Sequence, residues 1–143
     1  MAANRRLIRE AVVQTVFECE FRGIEKEWLV IFERNAADLG LKLEKGFSEA
    51  LLKTTFDNLQ SSKEWIEKLA PNWPFSKIAK LDAAILLVAL AELKFLCGKF
   101  NIPPKATLNE FVEITKSYGD DSDRKFVNGV LSSAKKEIEE SSY

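Results

Sequence analysis

The sequence contains no histidine, the side chain that most often acts as a general base near neutral pH. Catalysis by Ser-His-Asp or Cys-His arrangements is therefore excluded, and the commonest metal ligand is missing. Glycine is also scarce, with six in the whole chain, and neither GxxxxGK[ST] nor GxGxxG occurs. We therefore expect no catalytic residues, no cofactor and no metal site.

Cysteine is rare as well. Cys19 and Cys97 lie far apart and match no metal-binding or redox spacing. Both stand among apolar residues, which predicts buried free thiols and fits a reducing cytoplasm. The N-terminus lacks the apolar segment of a signal peptide, and the longest apolar run falls short of the roughly 20 residues of a membrane span. We expect a cytoplasmic protein without a membrane segment.

That longest apolar run, residues 83–91, contains nine residues and no charge. A helix on a protein surface is apolar along one stripe only, whereas this run is apolar all round, which predicts a helix buried on every side. Such a helix needs other helices around it. The sequence therefore predicts a compact all-α domain over residues 1–143.

Apolar periodicity and stop signals predict about six to seven helices and no strands. The predicted segments are 5–21, 25–39, 48–69 (bent or broken at 60–62), 76 or 80 to 96, 107–118 and 124–138. Ser48 is predicted to cap the third segment, Thr107 and Glu110 to form a capping box, and Gly119 to end its helix in the left-handed conformation. The tail from Lys135 is expected to fray.

Two prolines around Trp73 predict a hinge with this tryptophan in the junction. The hinge divides the chain into an N-terminal helical subdomain, 1–70, and a C-terminal helical subdomain, 75–140. Gly129 lies within the last predicted helix, where glycine costs roughly 1 kcal/mol against alanine. A close helix crossing would explain it.

The first predicted helix begins with a basic cluster. Arg5, Arg6 and Arg9 fall within an arc of roughly 100°, at the helix end where the dipole favours acids. Arginines neutralise phosphates and an aromatic can stack on a base, so Gln14 and Phe17 on the same helix join them as candidates for RNA contact. The alternative is a solvated helix end that tolerates charge.

The net charge of the chain is only −1, so binding of nucleic acid needs such a local patch. Two further polar residues stand out. Asn109 is not explained by the predicted cap, and Asn128 interrupts an apolar run beside Gly129. The alternative for Asn128 is a hydrogen bond to the backbone of a neighbouring loop.

These motifs resemble those of the NusB transcription antitermination factors. The strings that carry the resemblance are Arg5-Arg6-(x2)-Arg9-Glu10-Ala11-(x2)-Gln14-(x2)-Phe17, Leu81-Asp82-(x2)-Ile85-Leu86-(x2)-Ala89-(x2)-Glu92-Leu93, Asn109-Glu110, Lys116-Ser117-Tyr118-Gly119 and Lys125-Phe126-Val127-Asn128-Gly129-Val130-Leu131. They follow the order and spacing of the family, and only residues 24–69 match in helical pattern alone.

The resemblance implies an all-α fold of two helical-bundle subdomains and an RNA-binding antitermination factor. The expected partners are single-stranded boxA-like RNA, the ribosomal protein NusE, the RNA polymerase antitermination complex active in rRNA transcription, and a second copy in a homodimer. The residues carried over for RNA binding are Arg5, Arg6, Arg9, Gln14, Phe17, Lys125, Phe126 and Asn128. Those carried over for partner binding are Phe17 and Glu92.

Some positions depart from the family pattern. Phe17 stands where tyrosine is usual, Phe111 where alanine is common, and Leu87 and Ala91 replace an arginine and a tyrosine. The last two changes remove polar groups from the central helix. Whether they lie exposed or buried decides whether that face can contact a partner.

Two other functions stay open. A similar helical domain precedes the catalytic domain of an rRNA cytosine methyltransferase family, so the chain would be the RNA-binding N-terminal domain of an enzyme. A reading frame that continues past Tyr143 would favour this alternative. The other is a helical dimerising scaffold, which would sediment identically with and without RNA.

Overall fold

The structure, a computed structural model, describes residues 2–23, 27–41 and 45–141. Across these ranges it contains helices and no strand, which confirms the predicted all-α class. The α-helices are α1 (Ala2–Arg22), α2 (Trp28–Asp38), α3 (Lys45–Asp57), α4 (Leu59–Leu69), α5 (Lys80–Ala91), α6 (Pro104–Tyr118) and α7 (Asp121–Glu140). A 3-10 turn (Phe75–Lys77) precedes α5, and a π-helical turn (Glu92–Leu96) follows it.

Helix α5 forms the centre of the core, as its composition predicts. Every residue from Asp82 to Ala91 is buried, and α1, α3, α4, α6 and α7 pack around it. Each Leu or Ile enclosed in this way contributes about 1.5–3 kcal/mol relative to exposure. Leu87 and Ala91 are both 1% exposed, so they offer no surface to a partner.

The first two helices end as the glycines predict. Gly23 follows α1 with φ 68°, and Gly40 lies just after α2 with φ 63°. Both are in the left-handed region that glycine adopts without a steric penalty. The predicted start of the second helix at Glu25 lies outside the described residues, and α2 begins at Trp28.

Gly119 has a different role from the one predicted. Its φ is −132°, which is extended backbone and not left-handed. A Cβ atom at this position would stand 2.5 Å from Oδ2 of Asp123. That carboxylate accepts from the Asp120 N–H at 2.9 Å, and the Asp120 side chain accepts from the Asp123 N–H at 3.0 Å. Glycine is therefore required here to leave room for the capping box of α7.

Two predicted caps and one predicted break are wrong. Helix α6 begins at Pro104 with Pro103 as its N-cap, because proline suits the first helical position, where its missing N–H is no loss. Thr107 therefore lies one turn inside the helix. Ser48 lies inside α3, and the break between α3 and α4 falls at Asn58, whose side chain donates to the Thr54 carbonyl at 2.8 Å.

The C-terminal half differs from prediction in three further places. Gly129 is exposed, and no heavy atom outside its own stretch of helix lies within 4 Å of a Cβ built on it, so none of the described helices crosses there. Helix α7 continues to Glu140 instead of fraying from residue 135, helped by the bond from Trp65 Nε1 to Glu137 at 3.1 Å. Trp73 is 54% exposed rather than enclosed in a junction.

One continuous core joins the two halves of the chain, since α1 packs along α5. The division into subdomains at residues 70–75 stays an interpretation. Cys19 and Cys97 are both buried thiols outside any disulfide, as predicted. No helix in the described ranges has the length and apolar character to cross a membrane.

Candidate nucleic-acid interface

The arginines at the start of α1 occupy three different environments, of which that of Arg6 is the most accessible. Its side chain is 44% exposed, and its Nε donates to Oε2 of Glu110 on α6 at 2.6 Å. This hydrogen bond, together with the nearby negative charge, raises the pKa of Arg6 above its ordinary value. Arg6 therefore presents a permanent positive charge at the surface.

Arg5 is half-buried against aromatic rings. Its guanidinium carbon lies 4.7 Å from the ring centroid of Phe47 and 5.8 Å from that of Phe100. These are cation–π distances, and the two rings meet edge to face at 5.4 Å. Lys99 adds a second cation, with its Nζ 5.7 Å from the Phe100 ring. The aromatic pair thus holds positive charge near the start of α1.

Arg9 does not face solvent, contrary to the expectation. It is 4% exposed, and its Nε and Nη2 donate to Oε1 and Oε2 of Glu92 at 2.7 and 2.9 Å. Glu92 is itself fully buried. Each side chain therefore uses its charge on the other. Glu92 reaches no surface, and Arg9 shows only a small part of its side chain, at the edge of a cavity that it lines with Arg5 and Glu110. We leave both out of the candidate surface.

Gln14 and Phe17 lie farther along α1. The Gln14 side-chain amide donates to the Tyr118 hydroxyl at 3.3 Å, which links α1 to the last residue of α6. Tyr118 is 42% exposed and was not among the predicted site residues. Phe17 is half-buried and packs against the core, so only part of its ring is available.

Phe126 stands beside a cavity of about 240 Å³ at the start of α7. Its ring meets that of Trp73 at 6.1 Å between centroids and 70° between planes. Asp82, Lys77 and Ser122 are among the residues that complete the lining. Sequence reasoning missed Trp73 as a site residue, although its position between two prolines singled it out.

Lys125 and Asn128, on the same helix, are both exposed. No hydrogen bond joins the Asn128 side chain to another described residue, which contradicts the alternative that it bonds a neighbouring loop. Both side chains are therefore available to a ligand.

The carboxyl groups of Asp82 and Asp123 face each other in this cavity. Burial, a hydrogen bond to Asp123 and the charges of Asp123 and Asp120 raise the pKa of Asp82 to about 7. The hydrogen bond from Asp82 and the Asp120 N–H lower the pKa of Asp123. Between the lowered pKa of Asp123 and about pH 7, the pair therefore holds one proton.

The accessible candidate residues lie on α1 and α7, and α6 connects these two helices. Arg6 and Gln14 on α1 pair with Glu110 and Tyr118 on α6, and the turn after Tyr118 leads directly into α7. We define the candidate surface as the accessible members of the predicted set. They are Arg5, Arg6, Gln14, Phe17, Lys125, Phe126 and Asn128.

Comparison with known proteins gives this surface a family context. The NusB family model matches residues 6–136. The transcription antitermination protein NusB of Bacillus licheniformis is 33% identical over 136 residues, which cover 95% of this chain and 99% of that protein. NusB of Chloroherpeton thalassium is 32% identical over 141 residues, 96% of this chain but 64% of the relative. The chain thus spans less than two thirds of the second relative.

Solved structures agree with the sequence comparison. NusB of T. maritima matches with a TM-score of 0.81 and 30% identity, over 93% of this chain and 91% of that chain. A crystal structure of the antitermination factors NusB and NusE in complex with dsRNA matches with a TM-score of 0.82 over 96% and 99% of the two chains. Its identity of 24% supports the fold alone. The family model and the relatives at a third identity establish that this chain belongs to the NusB family.

Proposed function

We propose that this protein is an RNA-binding transcription antitermination factor. It binds boxA-type single-stranded RNA together with the ribosomal protein NusE, as part of an antitermination complex on RNA polymerase during rRNA transcription. The observation that carries this proposal is the family match over residues 6–136. The protein acts in the cytoplasm by binding, without catalysis.

The candidate surface supplies the chemistry for RNA binding. Arg5 and Arg6 contact phosphates, and the exposed Lys125 adds a third cation. Phe126, already set against the ring of Trp73, stacks on a base, while Gln14 and Asn128 hydrogen-bond to sugar or base edges. Each phosphate contact releases counterions. On a single strand, the logarithm of the association constant therefore falls with the logarithm of the salt concentration, with a slope of about 0.7 per contact.

The partner contact rests on α1. Glu92 is buried, and so are Leu87 and Ala91 of the central helix, so we assign no partner contact to that face. Phe17 stays the candidate for contact with NusE, since part of its ring is accessible. A protein partner that covers Phe17 would enlarge an interface that a few phosphate contacts alone leave weak.

A salt series with a short boxA-like RNA tests the proposal. Fluorescence anisotropy would measure the binding of wild type, Arg6→Ala and Arg34→Ala, each with and without NusE. Arg34 is the matched control, because it is also an exposed arginine paired with a glutamate, in its case Glu18, and lies outside the candidate surface. We expect Arg6→Ala alone to weaken binding. Equal affinity of all three proteins would refute the site, and no binding by wild type would refute the function.

A homodimer stays a prediction. The apolar residues available for it include Leu29, 52% exposed, and Val30, 69% exposed, which are adjacent on α2. Sedimentation of wild type and of Leu29→Glu, with and without RNA, would distinguish two kinds of dimer. A scaffold would sediment identically with and without RNA, whereas the other dimer would dissociate when RNA is added.

A further inference from the structure

A buried polar network ties the beginning of α1 to two other helices. The carboxylate of Glu92 accepts two hydrogen bonds from Arg9, at 2.7 and 2.9 Å, and one from the Thr107 hydroxyl on α6, at 2.5 Å. Since that hydroxyl has only one hydrogen, the Cys97 thiol is the donor in the 3.3 Å contact between Cys97 and Thr107. Burial raises the pKa of this thiol, which keeps it protonated.

Glu92 occupies an unusual backbone position. It opens the π-helical turn Glu92–Leu96, in which the Cys97 N–H donates to the Glu92 carbonyl at 3.2 Å. Such turns change the register of a helix and occur frequently at functional sites. A charge at the end of an otherwise apolar buried helix is costly unless it is fully paired. The network supplies that pairing from α1 and α6 together.

The same network lies next to both accessible arginines. The Arg9 guanidinium carbon is 5.2 Å from the Phe47 ring, and the Arg5 guanidinium carbon is 4.7 Å from that ring. On the other side, Arg6 pairs with Glu110, one turn after Thr107 on α6. Arg5 therefore packs on the same aromatic ring as Arg9, and Arg6 pairs with a residue of α6, the helix that carries Thr107.

We propose that Arg9 and Glu92 are positioning residues for RNA binding, which hold Arg5 and Arg6 in place without touching the RNA themselves. The inference rests on the proposed function and deepens it. A positioning role and a direct contact with RNA predict opposite effects on RNA affinity when Glu92 is neutralised. If Arg9 contacted a phosphate, neutralising Glu92 would release a cation and strengthen binding. If the pair positions α1, the same change leaves Arg9 buried without its partner and weakens binding.

Glu92→Gln is therefore the decisive variant. We expect its RNA dissociation constant to rise about tenfold, the change that corresponds to about 1.4 kcal/mol. Amide hydrogen exchange in the first two turns of α1 should accelerate in the same variant without RNA. Ile66→Ala, a fully buried change in α4, is the control for lost stability and should retain binding at a temperature where it is folded.

Replacing both Arg9 and Glu92 by apolar residues should restore the RNA binding that a single replacement weakens. Replacing a buried ion pair by apolar residues is often neutral for stability, so Arg9→Met combined with Glu92→Leu should bind RNA more tightly than Arg9→Met alone. The salt slope of the double variant should equal that of wild type, whereas the loss of a phosphate contact would lower the slope by about 0.7.

Unchanged or tighter binding by Glu92→Gln would overturn the inference, as would a lower salt slope in the double variant. Either result leaves the proposed function intact, since the wild-type protein still binds. Failure of wild type to bind the RNA would instead overturn the proposed function.

Discussion

Arginine at three neighbouring positions of α1 illustrates how burial decides the role of a side chain. Arg6 is accessible and pairs with Glu110, Arg5 rests on aromatic rings, and Arg9 is enclosed with Glu92. An exposed ion pair contributes about 0–1 kcal/mol, so Arg6 can exchange Glu110 for a phosphate. A buried pair does not exchange, because separating it leaves an uncompensated charge in the core.

The exchange at Arg6 gives a prediction at the residue scale. Glu110→Gln removes the competitor of the phosphate, so RNA affinity should rise about 1.4- to fivefold, which corresponds to the about 0.2–1 kcal/mol of an exposed pair. Anisotropy titrations would measure it. Glu113→Gln removes an equal charge one turn away, from a carboxylate that pairs with Lys116. An equal gain in both variants would mean that overall charge, and not the release of Arg6, is responsible.

At the scale of elements, the turn between α6 and α7 brings Asp123 and Phe126 beside the start of α5. Gly119 permits this turn because its missing Cβ leaves space for the Asp123 carboxylate. The capping box then fixes the first turn of α7. The position of Phe126 in the candidate surface depends on this local geometry.

Two glycine substitutions should change stability in opposite directions. Gly119→Ala displaces Asp123 and disrupts the capping box, at a cost of about 1–2 kcal/mol. Gly129→Ala enters open space within α7 and should stabilise the helix by roughly 1 kcal/mol. Urea unfolding would measure both free energies. Destabilisation by Gly129→Ala would show that a close contact exists there after all.

For the whole molecule, the carboxyl pair between α5 and α7 links stability to pH. Asp82 has a pKa of about 7 in the folded protein against an ordinary 3.8. Between these values the folded protein holds a proton that the unfolded chain has released. The free energy of unfolding therefore falls as pH rises through this window. The lowered pKa of Asp123 acts in the opposite direction, with stability lost as pH falls below its ordinary value.

Asp82→Asn should remove the dependence on pH that this group causes. Relative to wild type, the variant should be more stable at pH 8 than at pH 5 by about 2–3 kcal/mol, because about two pKa units separate pH 5 from the pKa of Asp82 and each unit corresponds to about 1.4 kcal/mol. Urea unfolding at the two pH values would measure the difference. Asp57→Asn, on the exposed end of α3, is the control. A greater gain at pH 5 than at pH 8 would contradict the assignment.

The fold class was predictable because it depends on local pattern. The charge-free run at 83–91 requires enclosure by other helices, and the structure buries every residue of it. Helix ends were less predictable where two signals compete. Thr107 and Glu110 match a capping box, but the prolines at 103 and 104 start the helix earlier.

The candidate site was predictable only in part. The sequence by itself determined the all-α class, the buried central helix and the set of arginines on one arc of α1, since composition and helical periodicity are local properties. Only the tertiary structure decided which of these arginines are accessible. Glu92 and Glu110 lie 83 and 104 residues from their partners Arg9 and Arg6, and the depth at which α1 packs against α5 and α6 sets the exposure of each charge.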